Sequence, residues 1–286
     1  MKTCLDCLPC LTRNAVTVAC KCSSDPAVQE RIVTGSMQML AACDRRWAPP
    51  LFAGKIMDIA MKEIGDPDAD PYRAEKEKST ALAKQLLGEL KNIPEYDPAG
   101  FESRLRLAVA GNILDFGVFA DLDLKEAVKT IRQAFTAPVD RDAVRKLEAR
   151  IRSSRRILYV LDNCGEAVFD RVFMELFEDK VTVAVRGRNS LNDVTRRELA
   201  DSGYAESFRV VDSGSNIPGV IPEFIGPELR QAMESADLII AKGQGNFETM
   251  DEIPYPVSFL FLAKCPAVIR QIGAEMKSIQ IRNVNF

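Results

Sequence analysis

Arg156-Ile-Leu-Tyr-Val-Leu161-Asp162-Asn163-Cys164-Gly165-Glu166 decides how this chain is read. Ile157–Leu161 is a continuous apolar run, the pattern of a strand buried on both faces, and it ends in an acid, an amide and a glycine. A helix-like segment, Glu166–Phe177, follows. The alternation then repeats: apolar Val181–Val185, helical Thr195–Asp201, apolar Phe208–Val211, helical Pro227–Ser235, then apolar Leu238–Ala241 and Val257–Leu262. Short apolar strands alternating with helices predict βαβ units and a parallel, doubly wound sheet, an α/β fold.

Upstream of about residue 153 the period changes. Pro26 to about Arg46, Pro50–Ile64, Tyr72–Lys91, Pro98–Ala110, Leu124–Phe135 and Arg141–Arg152 carry apolar residues at helical spacing. In Ala81–Leu90, for example, Leu82, Leu86, Leu87 and Leu90 share one face while Lys84 and Glu89 turn outward. Gly65-Asp66-Pro67, Ile93-Pro94 and Asp97-Pro98 punctuate these segments. Two regions are expected: a helical domain over 1–152 and an α/β domain over 153–286.

Composition narrows the function. The net charge of −3 supplies no basic field, so nucleic acid is not an expected partner. Apolar stretches such as Val257–Ala263 are far too short to span a bilayer, and no charged-then-apolar leader pattern opens the chain. The expected location is the cytoplasm. Histidine is absent, which removes Ser-His-Asp triads, Cys-His pairs and His-ligated zinc. Acid–base chemistry near neutral pH must then come from carboxylates, Lys, Cys, Tyr or metal-bound water.

In doubly wound sheets the ligand lies beyond the carboxyl ends of the strands. Three such ends stand out: Asp162-Asn163, then Arg186-Gly-Arg-Asn-Ser-Leu-Asn-Asp193, then Lys242-Gly-Gln-Gly-Asn246. Asp and Asn oxygens suit a hard ion such as Mg²⁺ or Mn²⁺. The glycine-rich segment after Lys242 offers backbone N–H groups to an anion. Each feature also has a structural reading. Asp162-Asn163 suits a helix N-cap, Asp193 precedes a capping-box pattern in Thr195-Arg-Arg-Glu198, and the glycines suit a turn.

Asp162-Asn-Cys-Gly-Glu166, Asn192-Asp-Val-Thr195, Lys242-Gly-Gln-Gly-Asn-Phe-Glu248 and Lys264-Cys-Pro266, with Gly111-Asn112-Ile-Leu-Asp115-Phe-Gly117, resemble the damage-control phosphatases, whose motifs occur in the family's order. Cys4-Leu-Asp-Cys7-Leu-Pro-Cys10 is similar to the start of the compact microbial branch. The resemblance implies a helical domain on a Rossmann-like three-layer α/β/α domain, one divalent cation (Mn²⁺, Mg²⁺, Co²⁺ or Ni²⁺), and hydrolysis of small phosphorylated metabolites such as sugar phosphates. It carries Asp162, Asn163 and Asp193 over as metal ligands and Lys264 as a substrate-binding lysine. Where longer relatives have Arg-Thr-x-Lys, this chain has Phe261-Leu-Ala-Lys264, so Arg186 and Lys242 become candidates to share the phosphate. Asn112 and Asp115 are expected to contribute from the helical half, and Glu166 as a base or as a support of the ligands. Attack by metal-held water is the expected mechanism, because the Asp-x-Asp start of an aspartyl-nucleophile phosphatase is missing after the first strand.

Five of the eight cysteines precede residue 23, and Cys4, Cys7 and Cys10 recur every third residue. A second metal or redox site there stands beside plain reduced thiols. Two rival functions remain. One is carboxyl methyl transfer from S-adenosylmethionine, although Asn163-Cys-Gly-Glu166 stands where Gly-x-Gly-x-Gly is wanted. The other is a non-enzymatic thiol-rich metal-binding or redox protein.

Overall fold

The computed structural model describes residues 1–113, 124–201, 204 and 207–286. Seven helices come first among these: α1 Cys7–Cys22, α2 Pro26–Ala41, α3 Pro49–Ile64, α4 Arg73–Glu89, α5 Phe101–Ile113, α6 Leu124–Thr136 and α7 Arg141–Ser153. Local chemistry sets their ends. Asp25 and Asp140 cap α2 and α7 by accepting backbone N–H bonds, and Gly65 closes α3 at φ 72°, a conformation cheap only for glycine. The helix expected from Pro26 to Arg46 stops at Ala41. The cysteine-rich start winds into helix α1 from Cys7 on, with Cys4 ahead of it.

The second half alternates strand and helix, with two elements beyond the predicted series, α12 and β6: β1 Ile157–Val160, α8 Cys164–Met174, β2 Val181–Val185, α9 Arg196–Asp201, β3 Arg209–Asp212, α10 Pro227–Ser235, β4 Leu238–Lys242, α11 Gln244–Met250, β5 Val257–Leu262, α12 Pro266–Ile272 and β6 Ile279–Val284. The six strands form one sheet in the order β3-β2-β1-β4-β5-β6. All neighbours are parallel except β6, which runs antiparallel along β5. Chain order reverses between β1 and β4, and the crevice of a doubly wound sheet opens at that switch point.

Strand alternation sorts the side chains into two apolar layers. Ile157, Tyr159, Leu238, Ile240 and Leu260 face α5, α7 and α8, while Leu158, Val160, Ile239, Ala241 and Phe259 face α10, α11 and α12. The first layer runs on into Leu86, Leu105, Val109 and Leu147, so the apolar core is continuous across the passage from helices to sheet. Helices α1–α3 enclose a cluster of their own around Leu11, Ile32, Phe52 and Ile56. No helix among the described residues is long and apolar enough to cross a membrane.

Candidate functional site

Backbone hydrogen bonds stitch the ends of β1 and β2 together. Val194 N–H donates to the Asp162 carbonyl at 2.9 Å, and Cys164 N–H donates to the Asn192 carbonyl at 3.1 Å. Asn163 and Asp193 therefore pair as an antiparallel bridge. Leu191 sits in the intervening turn at φ 47°, a left-handed conformation costing a leucine roughly 1–2 kcal/mol. The price is met by the bonds that fix Asp193 beside Asp162.

Neither acid of this pair serves as a cap. Asn163 occupies the N-cap position of α8 without a side-chain bond to the helix backbone; its Nδ2 donates instead to the carboxylates, Asp162 Oδ2 at 3.0 Å and Glu166 Oε2 at 3.2 Å. The capping role ahead of α9 falls to Thr195, whose N–H and hydroxyl both donate to Glu198 Oε2 and whose Oγ1 accepts from Arg197 N–H. Asp193 is released from helix duty.

One guanidinium joins the two carboxylates. Arg186 Nε donates to Asp193 Oδ2 at 2.6 Å, Nη1 donates to Asn246 Oδ1 at 3.2 Å, and Nη2 lies 3.6 Å from Asp162 Oδ1. Nη2 is buried without a hydrogen-bond partner. Burial raises the Asp162 carboxyl well above the usual carboxylate range, and the charges of Asp193 and Glu166 add to it against Arg186 and Lys242. Burial likewise raises Asp193, with Arg186 opposing. Two acids are thus forced together with less positive charge than they need. Gly243 makes room for them: at φ 80° it lies under the Asp162 carboxylate, which a Cβ would overlap. Two carboxylates and an amide oxygen on one wall form a hard donor set of the kind that holds a small divalent cation.

These residues line a cleft of about 340 Å³ with Asn112, Gln244, Glu248 and Lys264. Asn112, at the end of α5, donates from Nδ2 to Glu166 Oε2 at 3.0 Å and Asp162 Oδ2 at 3.4 Å, so the helical half braces the site. Asp115 lies outside the described residues. Lys264 is half-buried at the cleft, its backbone N–H held by Gln244 Oε1 at 3.0 Å.

The geometry changes the reading of three residues. Lys242 is not presented to a phosphate. Its place on β4 turns it with Leu238 and Ile240 into the layer beneath α8, where it is fully buried. There its ammonium pairs with Glu166, donates to Asp170 Oδ1 at 2.8 Å and to the Ala108 carbonyl at 2.9 Å. Burial pulls the ammonium pKa down, but Asp170 and Glu166 more than offset it and hold it raised. Glu166, equally buried, is correspondingly not an open base; it is committed to Lys242 and to the amides of Asn112 and Asn163. Arg186 is likewise engaged by acids rather than placed as an open phosphate clamp.

Sequence reasoning gave no individual role to Gln244, Asn246 and Glu248, which it quoted only as part of a motif, and missed Asp170. Asp170 stands one helical turn after Glu166 and accepts from Tyr159 Oη at 2.8 Å; burial lifts it to about 7 against the Lys242 charge. The i,i+4 spacing of two acids opposite an inward strand lysine was the available signal. Among the described residues no group of three or more His, Cys, Asp or Glu gathers as a metal cage. The Cys4 and Cys7 sulfurs are 3.6 Å apart, and Cys10 reaches the cleft.

A family model, the damage-control phosphatase ARMT1-like domain, matches residues 3–279. A damage-control phosphatase of Pyrococcus horikoshii is 31% identical over 279 residues, spanning 95% of this chain and 94% of that relative. Another, of Archaeoglobus fulgidus, is 31% identical over 219 residues, spanning 72% of this chain and 73% of its own. The crystal structure of a DUF89 family protein from Pyrococcus horikoshii superposes with a TM-score of 0.89 at 28% identity, covering 99% of this chain and 100% of that one. The motif order in the sequence, the switch-point crevice and these likenesses agree: the chain belongs to the damage-control phosphatase ARMT1-like family.

Proposed function

We propose that the protein is a divalent-cation-dependent phosphatase that hydrolyses phosphate monoesters of small metabolites, sugar phosphates or damaged phosphometabolites among them. The observation that carries this reading is the convergence of Asp162, Asn163 and Asp193 on one cleft wall, short of positive charge and with a guanidinium nitrogen left unpaired between them. Asp162, Asp193 and the Asn163 carbonyl oxygen would hold Mn²⁺, Mg²⁺, Co²⁺ or Ni²⁺. Such a cation supplies Lewis-acid polarisation of the phosphoryl group and favours in-line attack by water.

The chain's own residues do the rest. Arg186 and Gly243 fix the carboxylates, so little reorganisation is needed when a ligand arrives. The Asn112 and Asn163 amide nitrogens point at Asp162 and Glu166, which leaves the Asn163 oxygen as its ligating atom. Lys264 faces the cleft from the loop after β5 and would draw the dianionic ester. The cleft volume suits a phosphorylated small molecule.

The test is a screen of phosphate esters after chelation and after return of each cation, with wild type, Asp162→Ala and Asp193→Ala. Wild type should turn over only with a cation, and each variant should lose at least ~10³-fold, given how slow the uncatalysed reaction is. Undiminished turnover in both folded variants would remove this cleft as the active site.

A further inference from the structure

The reaction proposed above has a second requirement, which is a proton for the departing alcohol. The chain has no histidine to give it, and Glu166 is sealed against Lys242. Among the described residues, Glu248 is the one further carboxyl that lines the cleft. Glu248 lies on α11, one turn after Gln244, and lines the same cavity as Asp162, Asn163, Asp193 and Lys264, although only 7% of it is exposed. Its Oε1 accepts from Gln244 Nε2 at 2.7 Å, and its Oε2 takes no hydrogen bond from the described residues. The same Gln244 accepts from the backbone N–H groups of Lys264 and Cys265 at 3.0 and 3.2 Å. A single amide therefore locks Glu248 in register with Lys264.

Its surroundings favour the protonated form. Burial raises the carboxyl to about 7; the Gln244 bond and the Met1 ammonium oppose this, and the Asp251 charge adds to it. From α1 the thiols of Cys7 and Cys10 face it, and across the cleft Lys264 does. Lys2, Arg46, Glu223, Asp251 and Glu252 surround the hollow on its other side.

We propose that Glu248 is the proton donor to the leaving oxygen of the phosphate ester, positioned through Gln244. This rests on the phosphatase reading. As the bond from phosphorus to the ester oxygen breaks, its electron pair stays on that oxygen, which takes the Glu248 proton and departs as an alcohol. Water supplies the new oxygen on phosphorus. One of its protons stays on the phosphate, and the other restores Glu248.

An alkoxide leaves poorly without a proton, whereas 4-nitrophenolate needs none, and general acids contribute roughly 10²–10⁴-fold where they act. The experiment compares kcat for glycerol 2-phosphate and 4-nitrophenyl phosphate in wild type and Glu248→Gln, across pH 5.5–9. The loss in Glu248→Gln should be about 100-fold or more on the alkyl ester and at least about tenfold smaller on the aryl ester. In wild type alone the alkyl-to-aryl ratio should fall about tenfold per pH unit above the Glu248 pKa of about 7, a readout that stands even if the variant does not fold. Equal losses on both esters, or a ratio flat with pH, overturn the assignment while leaving the phosphatase reading intact. A wild type inactive on every ester and cation overturns both.

Discussion

Two charge clusters lie back to back at the switch point, and they are built on opposite principles. Beneath α8, Lys242 is closed in with Glu166, Asp170 and Tyr159, and each of its donors has an acceptor. At the cleft, Asp162 and Asp193 share one guanidinium that leaves a nitrogen unpaired, and both carboxyls are held above their ordinary range. The enclosed cluster neutralises its own cation, although Asp170 keeps one buried oxygen without a hydrogen-bond partner. The cleft cluster carries repulsion that a proton or a cation would relieve. Acids a few residues apart in the sequence thus divide between architecture and chemistry according to whether their charge is already answered.

The sharpest way to break this contrast is Lys242→Met. It leaves two carboxylates buried without their cation and should cost about 3–5 kcal/mol in urea unfolding, whereas Lys264→Met should cost under about 1 kcal/mol while weakening kcat/KM. Similar stability losses at the two lysines would erase the distinction.

Glu248 offers a test through pH. Its folded pKa of about 7 exceeds the ordinary 4.5, so between these values the folded chain keeps a proton that the unfolded chain has released. The stability this contributes is full below about 4.5 and lost as pH rises through about 7, up to roughly 3 kcal/mol. Glu248→Gln should flatten that part of the profile in denaturation curves from pH 4.5 to 8.

A divalent cation at a hundred times its dissociation constant should stabilise the wild type by about 2.7 kcal/mol, seen as a rise in Tm. Asp193→Asn should lose most of that rise. An equal shift in the variant would place the cation elsewhere. The smallest effect belongs to the helix cap: Thr195→Ala should cost about 1 kcal/mol and leave cation binding in place, since Thr195 and not Asp193 caps α9.

The layers of the sheet were legible because β1, β2, β4 and β5 are apolar runs that need no partner to be recognised. β6 escaped because Ile279-Gln-Ile-Arg-Asn-Val284 alternates polar residues with apolar ones and pairs on one edge only. The glycine-rich segment beginning at Lys242 reads as an anion-binding stretch at a helix start, and α11 does begin directly after Gly243. At the site, the motif order led to strand ends that meet at one cleft, yet position alone could not say which way Lys242 faced. Counting the strand in twos, from Leu238 through Ile240, would have turned it inward. The Gln244–Glu248 link was out of reach for another reason: it ties α11 to the backbone after β5, and no local pattern records such a contact.

Gly243 has a consequence for how this site can vary. Gly65 and Gly273 also have positive φ, but open space surrounds them, so asparagine or aspartate is a plausible visitor at either. At Gly243 the backbone angle and the carboxylate of Asp162 veto every side chain at once. A lineage can retune its substrate through residues around the rim, one small step at a time. It has no such gradual path through position 243, where the first step already displaces an acid from the floor.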